Sequence, residues 1–272
     1  MSRTPQGNIT RGTTNPNRLR RVDRWASRWP ALRKTSDPLV VDLGYGASAV
    51  TPVEFIERLR KARPDARLVG FEIDPDRVTS ALAELPALAA QGRDTSDVRF
   101  TRGGFETPLP AGQSAVIIRA FNVLRQYDES EVAEAWSMMC ARLQPDGVLI
   151  EGTCDEIGRV STWIALTPAG PQSLTVSLRL ADLELPSIAA ERLPKALIHR
   201  NVPGERVHTF FVDLDRWWNT HAGLGSFGAE QRWVATVTSM KDSGWPVRDG
   251  RSIWRLGEIT VDWSAVAPSS VE

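Results

Sequence analysis

Residues 40–50 read "VVDLGYGASAV". A run of apolar residues reaches an acid, Asp42, and passes into small residues, with Gly44 and Gly46 at alternate positions. Continuous apolar character marks a strand covered on both faces. Glycines directly after such a strand let the backbone pass close to a ligand. The stretch predicts a buried first strand feeding a nucleotide-binding turn.

The pattern that follows alternates strand and helix. "PLVVDL", "ARLVGFEI", "VRFTR", "SAVIIRAF" and "GVLIEGT" read as five strands. "TPVEFIERLRKARP", "DPDRVTSALAELPALAA" and "DESEVAEAWSMMCARL" read as helices between them, the second with a kink expected at Pro86. This succession predicts an α/β fold: a doubly wound, mostly parallel sheet with helices on both faces. Ahead of it, "NPNRLRRVDRWASRW" has Leu19, Val22, Trp25, Ala26 and Trp29 at helical spacing, and predicts one amphipathic basic helix. Later, "RVSTWIAL" and "SLTVSLRL" flank a turn and predict an antiparallel hairpin. Helical pieces are expected around 186–198, 209–220 and 226–243. "SIWRLGEITVDW" closes the chain as a strand pair or one long strand. The expected organisation is a basic arm (1–36), a nucleotide-binding core (37–158) and a C-terminal part (159–272) that completes the sheet and adds helices on the acceptor side, all in one compact unit. Seven of the ten tryptophans fall in that last part, most as core and some available to wall a pocket.

The length of 272 residues allows one large domain, or one domain plus a cap. No run approaches the roughly 18 apolar residues of a membrane helix. Cys140 and Cys154 are too few and too oddly spaced for a disulfide framework or a zinc site. The expectation is a cytoplasmic protein without membrane or metal. The net charge of zero hides an asymmetry, because residues 1–36 hold nine Lys or Arg and one acid, Asp23. A basic arm on an acidic body fits an anionic partner such as RNA, through Arg18, Arg20, Arg21 and Arg24. It equally fits an arm docked on its own body.

Asp42 separates two classes of ligand. Beside a dinucleotide pyrophosphate its carboxylate would be repelled, whereas beside an ammonium or sulfonium it is attracted. S-adenosylmethionine carries both of those cations and no phosphate. Glu72, at the tip of the second strand in "VGFEID", is placed to accept hydrogen bonds from ribose hydroxyls, a device that NAD enzymes share. Asp74 precedes Pro75 and reads as a helix cap.

"VVDLGYGAS", "LVGFEIDPDRV" and "LQPDGVLIEGT" together resemble the blocks of class I S-adenosylmethionine-dependent methyltransferases, over roughly residues 38–153. The resemblance implies cofactor contacts from Asp42, Gly44, Tyr45, Gly46, Glu72, Ile73, Gly104, Phe105, Glu106 and Arg119. It implies that the loop "RGGFETPLP" covers the adenine. Two departures stand out: Gly104 and Phe105 occupy the place of the usual acid in that loop, with Glu106 slightly late, and Ser48 replaces the third glycine of the first block. An N-terminal helix over the pocket is a further use for the arm, with one of its arginines pairing the methionine carboxylate.

Methyl transfer is an in-line displacement that rests on positioning, plus a base where the nucleophile needs one. The acceptor is expected beyond the fourth strand, in "IIRAFNVLRQY", which offers Arg119, Asn122, Arg125 and Tyr127. Glu151, Asp155 and Glu156 are expected just past the fifth strand. His199 is the candidate loop-borne base, and Cys154 reads as packing. The Asn-Pro-Pro-Tyr pattern for amino groups is absent. The expected function is methyl transfer to a small molecule or RNA. The alternatives are a non-catalytic nucleotide-binding scaffold and an NAD-dependent oxidoreductase, the latter lacking a Tyr-x-x-x-Lys pair.

Overall fold

The computed structural model describes residues 4–9, 12 and 14–269. Their contacts divide into two compact units. The first comprises residues 1–151, 156–158 and 166–170; the second comprises 152–155, 159–165 and 171–272. The division falls inside a strand, and the basic arm belongs to the first unit.

In the first unit, α1 (Arg20–Ala26) and α2 (Pro30–Lys34) precede β1 (Leu39–Leu43). The expected basic helix over 15–29 is thus shorter, and a second helix follows it. Pro30 opens the second at its first turn, where its missing N–H costs nothing, and Trp29 ahead of it is extended. The start also slips, because Asn17 adopts a left-handed φ of 61°. Alternation then proceeds as the sequence predicts: α3 (Val50–Arg60), β2 (Arg67–Glu72), α4 (Pro75–Ala90), β3 (Val98–Arg102), β4 (Ala115–Phe121), α5 (Glu129–Cys140) and β5 (Leu143–Cys154). Asp74 caps α4, its carboxylate accepting from the Asp76 N–H at 2.9 Å. Asp128 and Glu131 form a capping box on α5.

The strand order is β3-β2-β1-β4-β5, and β1 pairs in parallel with both β2 and β4. Every residue of β1 and of β4 is buried. The chain winds outward through β1, β2 and β3, then restarts at β4 on the other side of β1. The carboxyl ends of β1 and β4 thus form a topological switch point, the crevice where open α/β sheets take ligands. The glycine turn lies there.

β6 (Val160–Thr167) and β7 (Gly170–Leu178) match the expected hairpin; residues 166–170 at its turn count with the first unit and the rest with the second. A 3-10 stretch (Pro186–Arg192) and a short α6 (Lys195–Ile198) follow, then α7 (Arg206–Thr220) and α8 (Ala229–Asp242). The closing segment is neither a strand pair nor one long strand. It is a short helix, α9 (Arg251–Trp254), and one strand, β8 (Glu258–Asp262), with Gly257 between them at a φ of 80°. β8 pairs antiparallel with β7, and the Thr175 and Thr260 hydroxyls meet across the pair at 2.9 Å. Trp218 of α7 meets Trp233 of α8 edge to face with ring centroids 6.2 Å apart, and both are buried. Trp163 is likewise core. Among the described residues no helix is long and apolar enough to cross a membrane.

Glu151 is not in a loop past β5, as expected, but inside the strand and fully buried. The longer strand carries it into the core. Burial pushes its carboxyl up to about 8, only partly offset by the Trp136 indole. The folded protein therefore holds this proton over a range where the unfolded chain, titrating near 4.5, has released it. Stability from this group is complete below pH 4.5 and is lost as pH rises towards 8. Urea unfolding of Glu151→Gln should show a flatter pH profile in that interval. The stability difference from wild type at the alkaline end should be on the order of a few kcal/mol, given about 1.4 kcal/mol per pKa unit.

Candidate nucleotide-binding site

The turn after β1 is built on two left-handed glycines, Gly44 at φ 66° and Gly46 at φ 86°. Gly44 also needs its missing side chain, since a Cβ there would meet Val123 at 2.6 Å. Its N–H donates to the Phe71 carbonyl at 2.8 Å, fastening the turn to the end of β2. The Gly46 N–H donates to Glu72 Oε2 at 3.0 Å, and the Ile73 N–H donates to Glu72 Oε1 at 3.0 Å. Glu72 is only 3% exposed, and Arg77 stands 3.7 Å from it. One turn further, the Ser48 hydroxyl and the Ala49 N–H both donate to Glu84 Oε2, at 2.7 and 2.8 Å.

These contacts bear on ligand charge. Amides of a glycine turn and of the helix start beyond it attract anions. Here the chain supplies two anions of its own, Glu72 from β2 and Glu84 from α4. Ser48, where the third glycine of the usual block would stand, serves as a ligand of Glu84. Sequence reasoning missed Glu84 because it sits mid-helix in α4, and only the packing of that helix aims it at the turn.

Asp42 is held by the neighbouring strand. Parallel pairing sets Asp42 of β1 directly beside Arg119 of β4. The Arg119 Nε donates to Asp42 Oδ1 at 2.9 Å, and its Nη2 bonds Asp42 Oδ2. Its Nη1 bonds Asp23 Oδ1 of α1, and its guanidinium lies 4.0 Å over the Phe55 ring. Arg119 and Asp23 are 0% exposed and Asp42 is 2% exposed. Arg58 donates to Asp23 Oδ2 at 2.6 Å and reaches Glu54 at 3.3 Å. Glu54 in turn accepts the Asn17 N–H. Burial works against the charge on Arg119, but Asp42 and then Asp23 outweigh it and raise its pKa. Burial raises the pKa of Asp23, against the pull of Arg119 and Arg58. Both oxygens of Asp42 thus accept from Arg119, whose charge faces that of Asp42. Arg119, proposed from sequence as a catalytic and cofactor residue, is corrected to an internal partner.

Tyr45 is also redirected. Its ring packs against Phe100 with centroids 4.7 Å apart, beside Gly70, and it is buried. Ile73, Gly104 and Phe105 do border the crevice with Gly44 and Glu72. The Gly104 N–H donates to Glu106 Oε1 at 2.9 Å. Phe105 meets Tyr127 edge to face at 5.1 Å. Asn122 follows β4 directly at a φ of 60°, a conformation that Asn tolerates better than most residues.

His199 belongs to the second unit and is exposed at the C-terminus of α6. In that unit a cleft of about 550 Å³ is lined by residues such as Asp155, Arg159, Leu185 and Glu191, and no tryptophan lines it. Asp155 accepts the Arg159 N–H at 2.7 Å. In the arm, Arg20 donates to the Ile157 carbonyl at 3.0 Å and Arg21 to the Gly158 carbonyl at 3.1 Å. Arg3 and Arg11 lie outside the described residues. Among the described residues no group of three or more His, Cys, Asp or Glu is arranged to hold a metal.

No family model and no curated protein matches this chain. Solved structures do. The plantazolicin methyltransferase BpumL in complex with SAH is 12% identical, with 50% of this chain and 47% of that one covered and a TM-score of 0.37. The mitomycin 7-O-methyltransferase MmcR is 18% identical over 50% of this chain and 36% of its own, with a TM-score of 0.37. An O-methyltransferase from neocarzinostatin biosynthesis, in complex with S-adenosylmethionine and a naphthoic acid, is 19% identical over 48% and 39%, with a TM-score of 0.34. The chain thus spans less than half the length of each.

The ion network is testable. Arg119→Met should lower the unfolding free energy by about 3–5 kcal/mol, because it strands the buried Asp42 and leaves Asp23 with Arg58 alone. Adding Asp23→Asn and Asp42→Asn to that variant should recover part of the loss in urea titrations. A simple sum of the separate effects would show that the three groups do not act together.

Proposed function

We propose that this protein is an S-adenosylmethionine-dependent methyltransferase. The observation that carries the reading is the pair of carboxylates on the glycine turn. A dinucleotide would bring its pyrophosphate to the amides of Gly46 and Ala49, which already hold Glu72 and Glu84. An anion there meets like charge in a poorly solvated crevice. A nucleoside that brings hydroxyls and cations meets acceptors instead. Asp42 supported this choice in the sequence; in the folded chain Glu72 and Glu84 support it.

The roles follow from the geometry. A carboxylate has about four acceptor positions. Glu72 uses some of its positions on Gly46 and Ile73, which hold it rigid, and the rest suit ribose hydroxyls. Phe105 and its N–H face the place expected for the adenine. Asn122, just past the end of β4, is assigned the part of orienting an acceptor. When bound, the cofactor supplies an electrophilic methyl group on a sulfonium; the protein's part is alignment. In the arm, Arg20 and Arg21 already donate to backbone carbonyls, which supports a small-molecule acceptor over RNA.

Calorimetry should show S-adenosylhomocysteine binding and no NAD binding. Glu72→Ala should weaken S-adenosylhomocysteine at least about tenfold, equivalent to about 1.4 kcal/mol. NAD binding without S-adenosylhomocysteine binding would reverse the assignment.

A further inference from the structure

The proposed nucleoside crevice is filled by the chain's own N-terminus. The Gln6 carbonyl accepts the Phe105 N–H at 2.9 Å, and the Gln6 N–H donates to Glu106 Oε2 at 2.7 Å. The other oxygen of Glu106 is taken by Gly104. Asn8 is gripped by the Tyr127 hydroxyl, which donates to the Asn8 carbonyl at 3.0 Å and accepts the Asn8 N–H. Between them Gly7, at φ 122°, fits under three side chains. A Cβ there would meet the Tyr127 hydroxyl at 2.7 Å, Ile73 at 3.0 Å and Phe105 at 3.2 Å. Further along, the Gly12 carbonyl lies 3.1 Å from where a Cβ of Gly46 would stand. The segment thus visits the loop after β3, the tip of β2 and the turn after β1. The first two are the places assigned to adenine and ribose, and the third is the glycine turn beside them.

About 20 Å³ remains free among Gln6, Asn8, Gly44, Glu72, Ile73, Phe105 and their neighbours. That is room for a single water. Pockets for small ligands measure about 300–1,000 Å³. The segment and a nucleoside therefore exclude one another.

We propose that residues 4–9, with Gly12, are a built-in competitor for this site: a strap that must leave before the nucleoside enters. The inference rests on the methyltransferase reading above. The strap imitates the ligand with backbone groups, its carbonyls and amides meeting the Phe105 N–H, Glu106 and Tyr127. Its hold is shallow, since Thr4 and residues 6–9 are exposed and Ile9 is 58% exposed. A ligand whose site is open only part of the time binds with an affinity reduced by that fraction.

The experiment compares three forms of the chain by calorimetry with S-adenosylhomocysteine: the full chain, the chain lacking residues 1–9, and Gly7→Val. The valine leaves the chain full length but forbids the strap its seat. Hydrogen exchange at the Phe105 amide reports strap release directly and should be slow in the full chain and fast in both variants. The dissociation constant should fall about tenfold in both variants. Equal or weaker binding in the variants, with fast Phe105 exchange, would overturn the strap alone and make it a wall or a bystander. Slow Phe105 exchange in both variants would also overturn it. Binding by none of the three forms would overturn the nucleoside reading and the strap with it.

Discussion

The guanidinium of Arg119 ties three elements together at one point. It lies on β4, bonds Asp42 on β1 and Asp23 on α1, and stacks on Phe55 of α3. A buried ion cluster is weak evidence for stability, since desolvation offsets much of the attraction. Its consequence is registration. A slip of one residue between β1 and β4 would turn Arg119 to the opposite face of the sheet, leave it and Asp42 unpaired, and leave Asp23 with Arg58 alone. The cluster therefore fixes where β1 ends relative to β4, and with it how far Gly44 is offset from Asn122 along the sheet.

The same cluster fixes the basic arm. Asp23 faces inward from α1, and Arg58 and Glu54 of α3 continue the chain of charges to Asn17. Arg20 and Arg21 close the arm onto residues 157 and 158. The strap is the extension of a segment so anchored. Its residues reach the crevice because the helix behind them is held in place by buried charge.

Periodicity made the fold of the first unit legible, because strands buried on both faces have no polar positions to blur the pattern. Asp74 as a cap and Glu72 at the tip of β2 were legible for local reasons, a proline after one and an apolar run before the other. The closing segment was not, because "SIWRLG" is apolar enough for a strand, and its helix is followed by Gly257 in a left-handed conformation. Asp42 was legible as an acid at the end of β1 but not as an ion pair, because its partner lies 77 residues away and only the parallel register brings the two level. Glu84 carried no local signal. The strap carried least of all. Its polar, glycine-rich sequence reads as loose chain, and nothing in it names the groove that accepts its backbone.

A turn that fills its own anion sites constrains more than ligand choice. Glu72 and Glu84 satisfy amides that would otherwise be bare in the empty crevice, so the turn holds its shape without a ligand. The strap performs the same service for the Phe105 N–H and for Glu106. The two devices differ in permanence. Glu72 and Glu84 project from the end of β2 and from the body of α4, and removing either from the turn means moving that element. The strap is bonded through a few exposed backbone groups, worth about 1 kcal/mol apiece. Ligand entry thus disturbs the strap and leaves the carboxylates in place. The polar groups that choose the ligand stay fixed, and those that keep the site closed are the cheaper ones to displace.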